Sequence, residues 1–312
     1  MNELTTAHMS IWQGRQDPEE GALALRWHDK VQLWQAGGEP GVVLLGFACD
    51  EGVRRNKGRV GAASAPQAVR KILANNAWHQ TRAVYDGGDV RCDSGDLDAA
   101  HGQLARRIAE ALKQGHFPLV IGGGHEVAFG SWSGLNRHLG GQGRVGIINF
   151  DAHFDLRRSQ GVASSGTPFF QIAQACAARG LAFHYACLGV AETANTQALF
   201  ARAQELGVWH VLDEAMTGAE LPILRAGLDG FMARCDHLYL TIDLDVLPAA
   251  VMPGVSAPAA RGVELAVIEP LIAHIRASGK LRLADLAEYN PTLDQDNRSA
   301  RVVARLIHQL TK

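Results

Sequence analysis

Apolar runs punctuate this chain: GVVLLGF (41–47), FPLVIGG (117–123), RVGIINF (144–150), HYACLGV (184–190), VWHVL (208–212), HLYLTID (237–243) and LRLADLAEY (281–289). A weaker one, AVYDGG, covers 83–88. The runs are apolar throughout instead of alternating, which is the pattern of parallel strands buried on both faces. Between them lie stretches with helical apolar spacing: APQAVRKILANN, LDAAHGQLARRIAEALKQG, PFFQIAQACAARG, TANTQALFARAQELG, LRAGLDGFMARC, ELAVIEPLIAHIRASG and RSARVVARLIHQLTK. Several end in Gly, a common helix stop. Strand and helix in alternation predict βα units, an α/β fold and a mostly parallel sheet. Residues 1–40 are polar and read as an N-terminal extension packed on the domain. Residues 41–312 read as one domain, without repeats, low-complexity tracts or a clear linker. YDGGDV (85–90) reads as a turn.

Composition narrows the class. A chain of 312 residues can bury a large core, and 47% hydrophobic with 20% charged residues is an ordinary globular balance. A formal net charge of -2 offers no basic excess for nucleic acid. The longest apolar runs fall far short of a bilayer span, so no membrane partner is expected. The start, MNELTTAHMSIWQGR, lacks a basic segment followed by an apolar one, so a secretory signal is not expected. Cys49, Cys92, Cys176, Cys187 and Cys235 form no CxxC pair and predict reduced thiols in a cytoplasmic protein.

Three runs end in metal-ligating side chains. His125 follows in IGGGHE, Asp151, His153 and Asp155 in INFDAHFD, and Asp243 and Asp245 in LYLTIDLDV. Residues two apart share a face while the chain stays extended. In open α/β sheets, ligands bind outside the carboxyl ends of the strands. Glu288, in LADLAEYNP, ends its run in the same place. One such His or Asp alone is usually structural, often a helix cap. Six gathered on one rim would repel one another or be desolvated without a cation. Two imidazoles and four carboxylates exceed the needs of one ion and suit two metals about 3.5–4 Å apart that lower the pKa of a shared water. No thiolate takes part, which disfavours structural zinc, and the set suits Mn²⁺ better than Fe²⁺, Co²⁺ or Zn²⁺. GGGHE has neither the P-loop pattern nor dinucleotide-binding spacing, which weakens a phosphate-loop reading.

GGGH, DAHFD and DLD in this order resemble the arginase/agmatinase (ureohydrolase) superfamily, from about residue 40 onward. AEYNPTLDQDNRSAR and GVRRNKGRVGAASAP are similar to its formimidoylglutamase branch. The resemblance implies a three-layer α/β/α fold around a mostly parallel eight-stranded sheet, with 41–312 a single arginase-like catalytic domain. It implies two Mn²⁺ per subunit: His125, Asp151, Asp155 and Asp243 on one ion, and Asp151, His153, Asp243 and Asp245 on the other. Asp155 would also pass a proton from hydroxide to the leaving amine. Glu288 matches the acid that in relatives faces the cationic guanidinium or amidine. The implied activity is hydrolysis of N-formimidoyl-L-glutamate to L-glutamate and formamide, in histidine degradation. Arginases and agmatinases carry a His in the loop that here reads SSGTPF; Ser165 holds the matching position, which argues against both activities and places Ser165 at the substrate. Arginases also have an Asp before the first His, where this chain has Gly. Glu126, after that His, either supports a metal ligand or is a helix-start carboxylate.

A dicarboxylate substrate needs cationic partners, and Arg forks carboxylates best. The loop after the first run supplies Arg54, Arg55, Asn56, Lys57 and Arg59, and Arg157 and Arg158 follow DAHFD. Arg54, Arg55 and Asn56 are expected to reach the substrate, and Arg59 to hold the loop. The expected partner is a small amidine dicarboxylate, and similar enzymes imply a homo-oligomer. Two competitors remain: a hydrolase of another guanidino or amidino acid, such as guanidinobutyrate, and a non-catalytic metal-binding protein. All six ligand positions are filled, which speaks against the second.

Overall fold

A computed structural model describes residues 9–159 and 161–312. Among these, nine strands form one sheet: β1 (Gln32–Leu33), β2 (Val42–Ala48), β3 (Val84–Arg91), β4 (Phe117–Ile121), β5 (Val145–Phe150), β6 (His184–Val190), β7 (Trp209–Leu212), β8 (His237–Asp243) and β9 (Leu281–Ala287). The runs read from the sequence are β2 to β9, so the expected count of eight is corrected to nine. β1 is two residues long, too short to show an apolar run, and pairs with Tyr85 and Asp86 of β3. Part of the 1–40 segment thus joins the sheet edge; its residues 1–8 lie outside the described residues.

Every strand pair is parallel, in the order β1-β3-β2-β4-β9-β8-β5-β6-β7. Alternate residues of each strand feed two cores. Val42 and Leu44 join one, Val43, Leu45 and Phe47 the other; Leu238, Leu240 and Ile242 face away from Tyr239 in the same way. Helices Ala65–Leu73, Leu221–Met232, Leu265–Ala277 and Arg298–Thr311 cover the first face. Helices Leu97–Lys113, Val127–Leu139, Pro168–Ala178 and Gln197–Glu205 cover the second. Both faces are dry, so the runs carry no polar alternation. Among the described residues, no helix is long and apolar enough to cross a membrane.

Two local readings are corrected. YDGGDV is not a turn but lies inside β3, where the register slips from Leu44↔Asp86 to Gly46↔Asp89. The extra residue is a bulge: Gly88 adopts φ 75° and its N–H meets Asp86 Oδ1 at 2.8 Å. Helix Val127–Leu139 shows no clear helical spacing in the sequence, because two glycines and two serines blur its pattern. It is held by packing instead. A Cβ on Gly134 would lie 2.7 Å from Ile108 Cβ and one on Gly130 3.0 Å from Leu104 Cδ2, so the glycines let it lie close against helix Leu97–Lys113.

Candidate metal centre and active site

β4, β9, β8 and β5 are consecutive in the sheet, and the candidate residues leave from their carboxyl ends. His125 follows β4, Glu288 follows β9, Asp243 ends β8 and Asp151 follows β5. Residues scattered over more than 160 positions of sequence therefore meet on one rim, where such folds bind ligands. The loop to His125 squeezes between β2 and β9: Gly124 N–H donates to Cys49 O at 3.1 Å and Gly122 N–H to Leu286 O at 2.7 Å. A Cβ on Gly123 would collide with the Cys49 carbonyl, so the glycine run is a backbone requirement.

His125 is fully buried, and its Nε2 lies 3.0 Å from Thr241 Oγ1. Its Nδ1 faces Asp155 Oδ2 at 2.9 Å and Asp151 Oδ2 and Asp243 Oδ2 at 3.1 Å each. None of the three meets that nitrogen in hydrogen-bonding alignment. Three carboxylates converging on one imidazole nitrogen off the bonding direction suit a cation between them better than a shared proton. A second group joins Asp151, His153 and Asp245, with His153 Nδ1 3.0 Å from Asp245 Oδ2. Asp151 belongs to both groups. Asp243, which the resemblance placed on both ions, joins the first group alone, and its Oδ1 accepts the Asp245 N–H at 2.9 Å.

The charges confirm how crowded the rim is. Burial and the Asp151 charge push Asp155 up to about 6. Burial and the Asp245 and Asp151 charges drive Asp243 well above the carboxylate range. Asp245 raises His153 to about 12. Burial pulls His125 down, but the three carboxylates outweigh it and hold its pKa well above normal. Carboxylates packed this closely suit the positive charge that two divalent cations would supply.

Above the rim lies a cavity of about 330 Å³. His153, Asp155, Asp243, Asp245 and Glu288 form its floor, with Ser165, Asn56, Lys57, Arg59 and Arg157 among the other lining residues. Glu288 Oε1 accepts the His125 N–H at 2.9 Å, and burial together with the Glu126 charge raises its pKa to about 8. Asn56 and Ser165, expected at the substrate, line this cavity. Arg54 and Arg55 are not: both are drawn to Glu51, and Arg55 also donates to Gly95 O at 3.0 Å. They border a separate groove with Glu51 and Asp98. The short helix Glu51–Arg55 causes this, since it puts Glu51 three and four residues before the two arginines on one face. Lys57 and Arg157 are the cationic groups that line the cavity beside Arg59, and Arg59 is bonded to Val255 O at 2.8 Å, holding the loop as expected. Glu126 Oε1 takes the Gly52 N–H at 2.9 Å.

Sequence reading missed several supports. Asn149 Nδ2 donates to Asp151 Oδ2 at 2.9 Å. Thr241 pairs in register with Asp285, which takes the Tyr239 hydroxyl at 2.6 Å. Asn195 bonds Phe154 N–H and Ala152 O, clamping the DAHFD segment from the end of β6. The one signal for Asn149, Thr241 and Asp285 was polarity inside otherwise apolar runs; Asn195 carried none.

The Arginase family model matches residues 40–312, and the chain belongs to that family. The formimidoylglutamase of Aeromonas hydrophila subsp. hydrophila is 80% identical, with both chains covered in full. The crystal structure of formimidoylglutamase from Bacillus subtilis subsp. subtilis str. 168 shares the fold, with TM-score 0.82 at 22% identity over 96% of this chain and 94% of that one. The Trypanosoma cruzi formiminoglutamase with Mn²⁺₂ gives TM-score 0.78 at 26% identity over 89% of this chain and 95% of that one.

Proposed function

We propose that this chain hydrolyses N-formimidoyl-L-glutamate to L-glutamate and formamide, a step of histidine degradation, with residues 41–312 as its catalytic domain. The observation that carries the chemistry is the convergence of two imidazoles and four carboxylates at the ends of adjacent central strands. The full-length likeness to a formimidoylglutamase supports the substrate. His125, Asp151, Asp155 and Asp243 would hold one Mn²⁺, and Asp151, His153 and Asp245 a second. Bound there, the pair would lower the pKa of a shared water and so supply the nucleophile.

The remaining work falls to side chains. Glu288 faces the protonated amidine; that positive charge draws its raised pKa back down, and the charge-assisted bond contributes about 1.5–3 kcal/mol. Asp155, on the floor and half-buried, takes the proton and delivers it to the leaving amine. Lys57 and Arg157, with Asn56 and Ser165, hold the glutamate carboxylates. Gly166 brings these together: its Cα has room for no more than hydrogen between Arg157 Cδ, 2.9 Å from a Cβ built there, and Asn56 Nδ2 at 3.2 Å. The test is turnover with Mn²⁺ of formimidoylglutamate, arginine, agmatine and guanidinobutyrate in parallel. Formamide release from the first should dominate; arginine as the best substrate would overturn the reading.

A further inference from the structure

The segment 50–61 carries Asn56 and Lys57 to the cavity, yet it is poorly anchored by core packing. Of residues 50–61, Gly52 and Val53 alone are buried. Its place is set by side chains that bond its backbone. Asp50 Oδ2 takes the Gly61 N–H at 2.6 Å and closes the base. From the β4 side, Glu126 Oε1 takes the Gly52 N–H at 2.9 Å. From the β9 side, Asn290 Nδ2 donates to Arg59 O at 2.9 Å and Val60 O at 3.0 Å. Glu126 and Asn290 are both nearly or fully buried. Gly52 and Gly124 leave the space that the Glu126 carboxyl fills, since a Cβ on either would collide with it. Lys57 adopts φ 62°, a conformation a lysine keeps when its surroundings impose it.

We propose that Glu126 and Asn290 are positioning residues that tie the substrate-carboxylate loop to the strand ends carrying His125 and Glu288. Glu126 immediately follows His125, and Asn290 lies two residues after Glu288. The reacting centre and the carboxylate-binding groups are thereby fixed to one frame, which sets the length of substrate that spans them. This rests on the functional reading above, and it predicts an effect on substrate binding without one on the metals.

The experiment compares Glu126→Ala, Glu126→Gln and Asn290→Ala, reading kcat, KM and bound manganese. Glu126→Ala and Asn290→Ala should each raise KM for formimidoylglutamate about tenfold, equal to about 1.4 kcal/mol. Manganese content should stay at the wild-type level, with kcat within about threefold. Glu126→Gln should restore KM, because its amide oxygen still accepts the Gly52 N–H. N-methylformamidine, which lacks carboxylates, should be turned over by Asn290→Ala as by the wild type, since Asn290 carries no charge that acts on Glu288. Unchanged KM in both alanine variants, or loss of manganese with collapse of kcat, would overturn the proposal. Should Glu126→Ala not fold, Gly52→Ala strikes the same contact from the loop side and should raise KM likewise. Failure of the functional reading shows separately, as a wild-type enzyme that leaves formimidoylglutamate intact.

Discussion

Asp151→Asn tests the two-ion reading at the residue the two donor groups share. The amide oxygen can still accept the His153 N–H, which now lies 2.6 Å from Asp151 Oδ1. The amide nitrogen, however, would face Asn149 Nδ2, donor against donor. Each ion would lose one anionic ligand at once. Wild-type protein should retain two manganese ions per chain after dialysis, Asp151→Asn none. His125→Asn and Asp245→Asn disturb one group each and should retain one. Stability gives an independent magnitude. An ion at about 100 times its Kd stabilises the fold by about 2.7 kcal/mol, so two contribute about 5 kcal/mol. At about 2.1 cal/mol/K per residue, 312 residues unfold with an entropy near ~0.65 kcal/mol/K. Saturating Mn²⁺ should therefore raise Tm by about 8 °C in the wild type, about 4 °C in the single-group variants, and negligibly in Asp151→Asn. Metal analysis and calorimetry check both series. Asp151→Asn retaining as many ions as Asp245→Asn would refute the shared-ligand geometry.

Glu288→Gln keeps an acceptor for the His125 N–H but removes the charge facing the amidine; kcat/KM should fall about 10–100-fold with manganese content unchanged. Arg54→Ala should leave KM for formimidoylglutamate at the wild-type value, whereas Lys57→Ala and Arg157→Ala should each raise it about tenfold, which steady-state kinetics will separate. His101 is buried against Phe47 and Phe129, and burial lowers its pKa to about 4. The unfolded state then binds the extra proton first, so stability is full above pH 6.5 and falls as pH drops toward 4. Between pH 7.5 and 5 the loss is about 2 kcal/mol, and His101→Leu should remove it. Urea midpoints with chelator at both pH values measure this; an unchanged pH slope in His101→Leu would contradict the assignment.

The strands were legible because both faces of the sheet are dry, which makes each run continuous in sequence. The candidate metal donors were legible because they stand where those runs stop. What failed to show was set by contacts distant in sequence. Arg54 and Arg55 read as substrate ligands in a basic loop, but a five-residue helix turns them toward Glu51. Helix Val127–Leu139 looks like a poor helix, and its glycines are explained by the approach of residues 104–108. Asn195 has no local pattern at all, since its role comes from β6 lying beside β5.

The pairing of β4 with β9 also explains how an acid and a candidate metal ligand 163 positions apart are held to one geometry. Glu288 N–H donates to Gly123 O at 2.7 Å, and His125 N–H donates to Glu288 Oε1 at 2.9 Å. The two bonds run in opposite directions between the loop that carries His125 and the residue that ends β9. They hold Glu288 at φ 68° and Asp155, across the rim, stands at φ 48°. Such conformations cost about 1–3 kcal/mol each and persist where neighbours fix them. The separation between the candidate metal group and the Glu288 carboxylate is therefore held by one backbone bond and one bond from the His125 N–H to the side chain. Burial and the nearby Glu126 charge raise the pKa of the acid held this way. Under the proposed function, an arriving amidinium would find the carboxylate already in place and remove that penalty, so binding energy would be drawn from electrostatic relief without a cost in side-chain ordering.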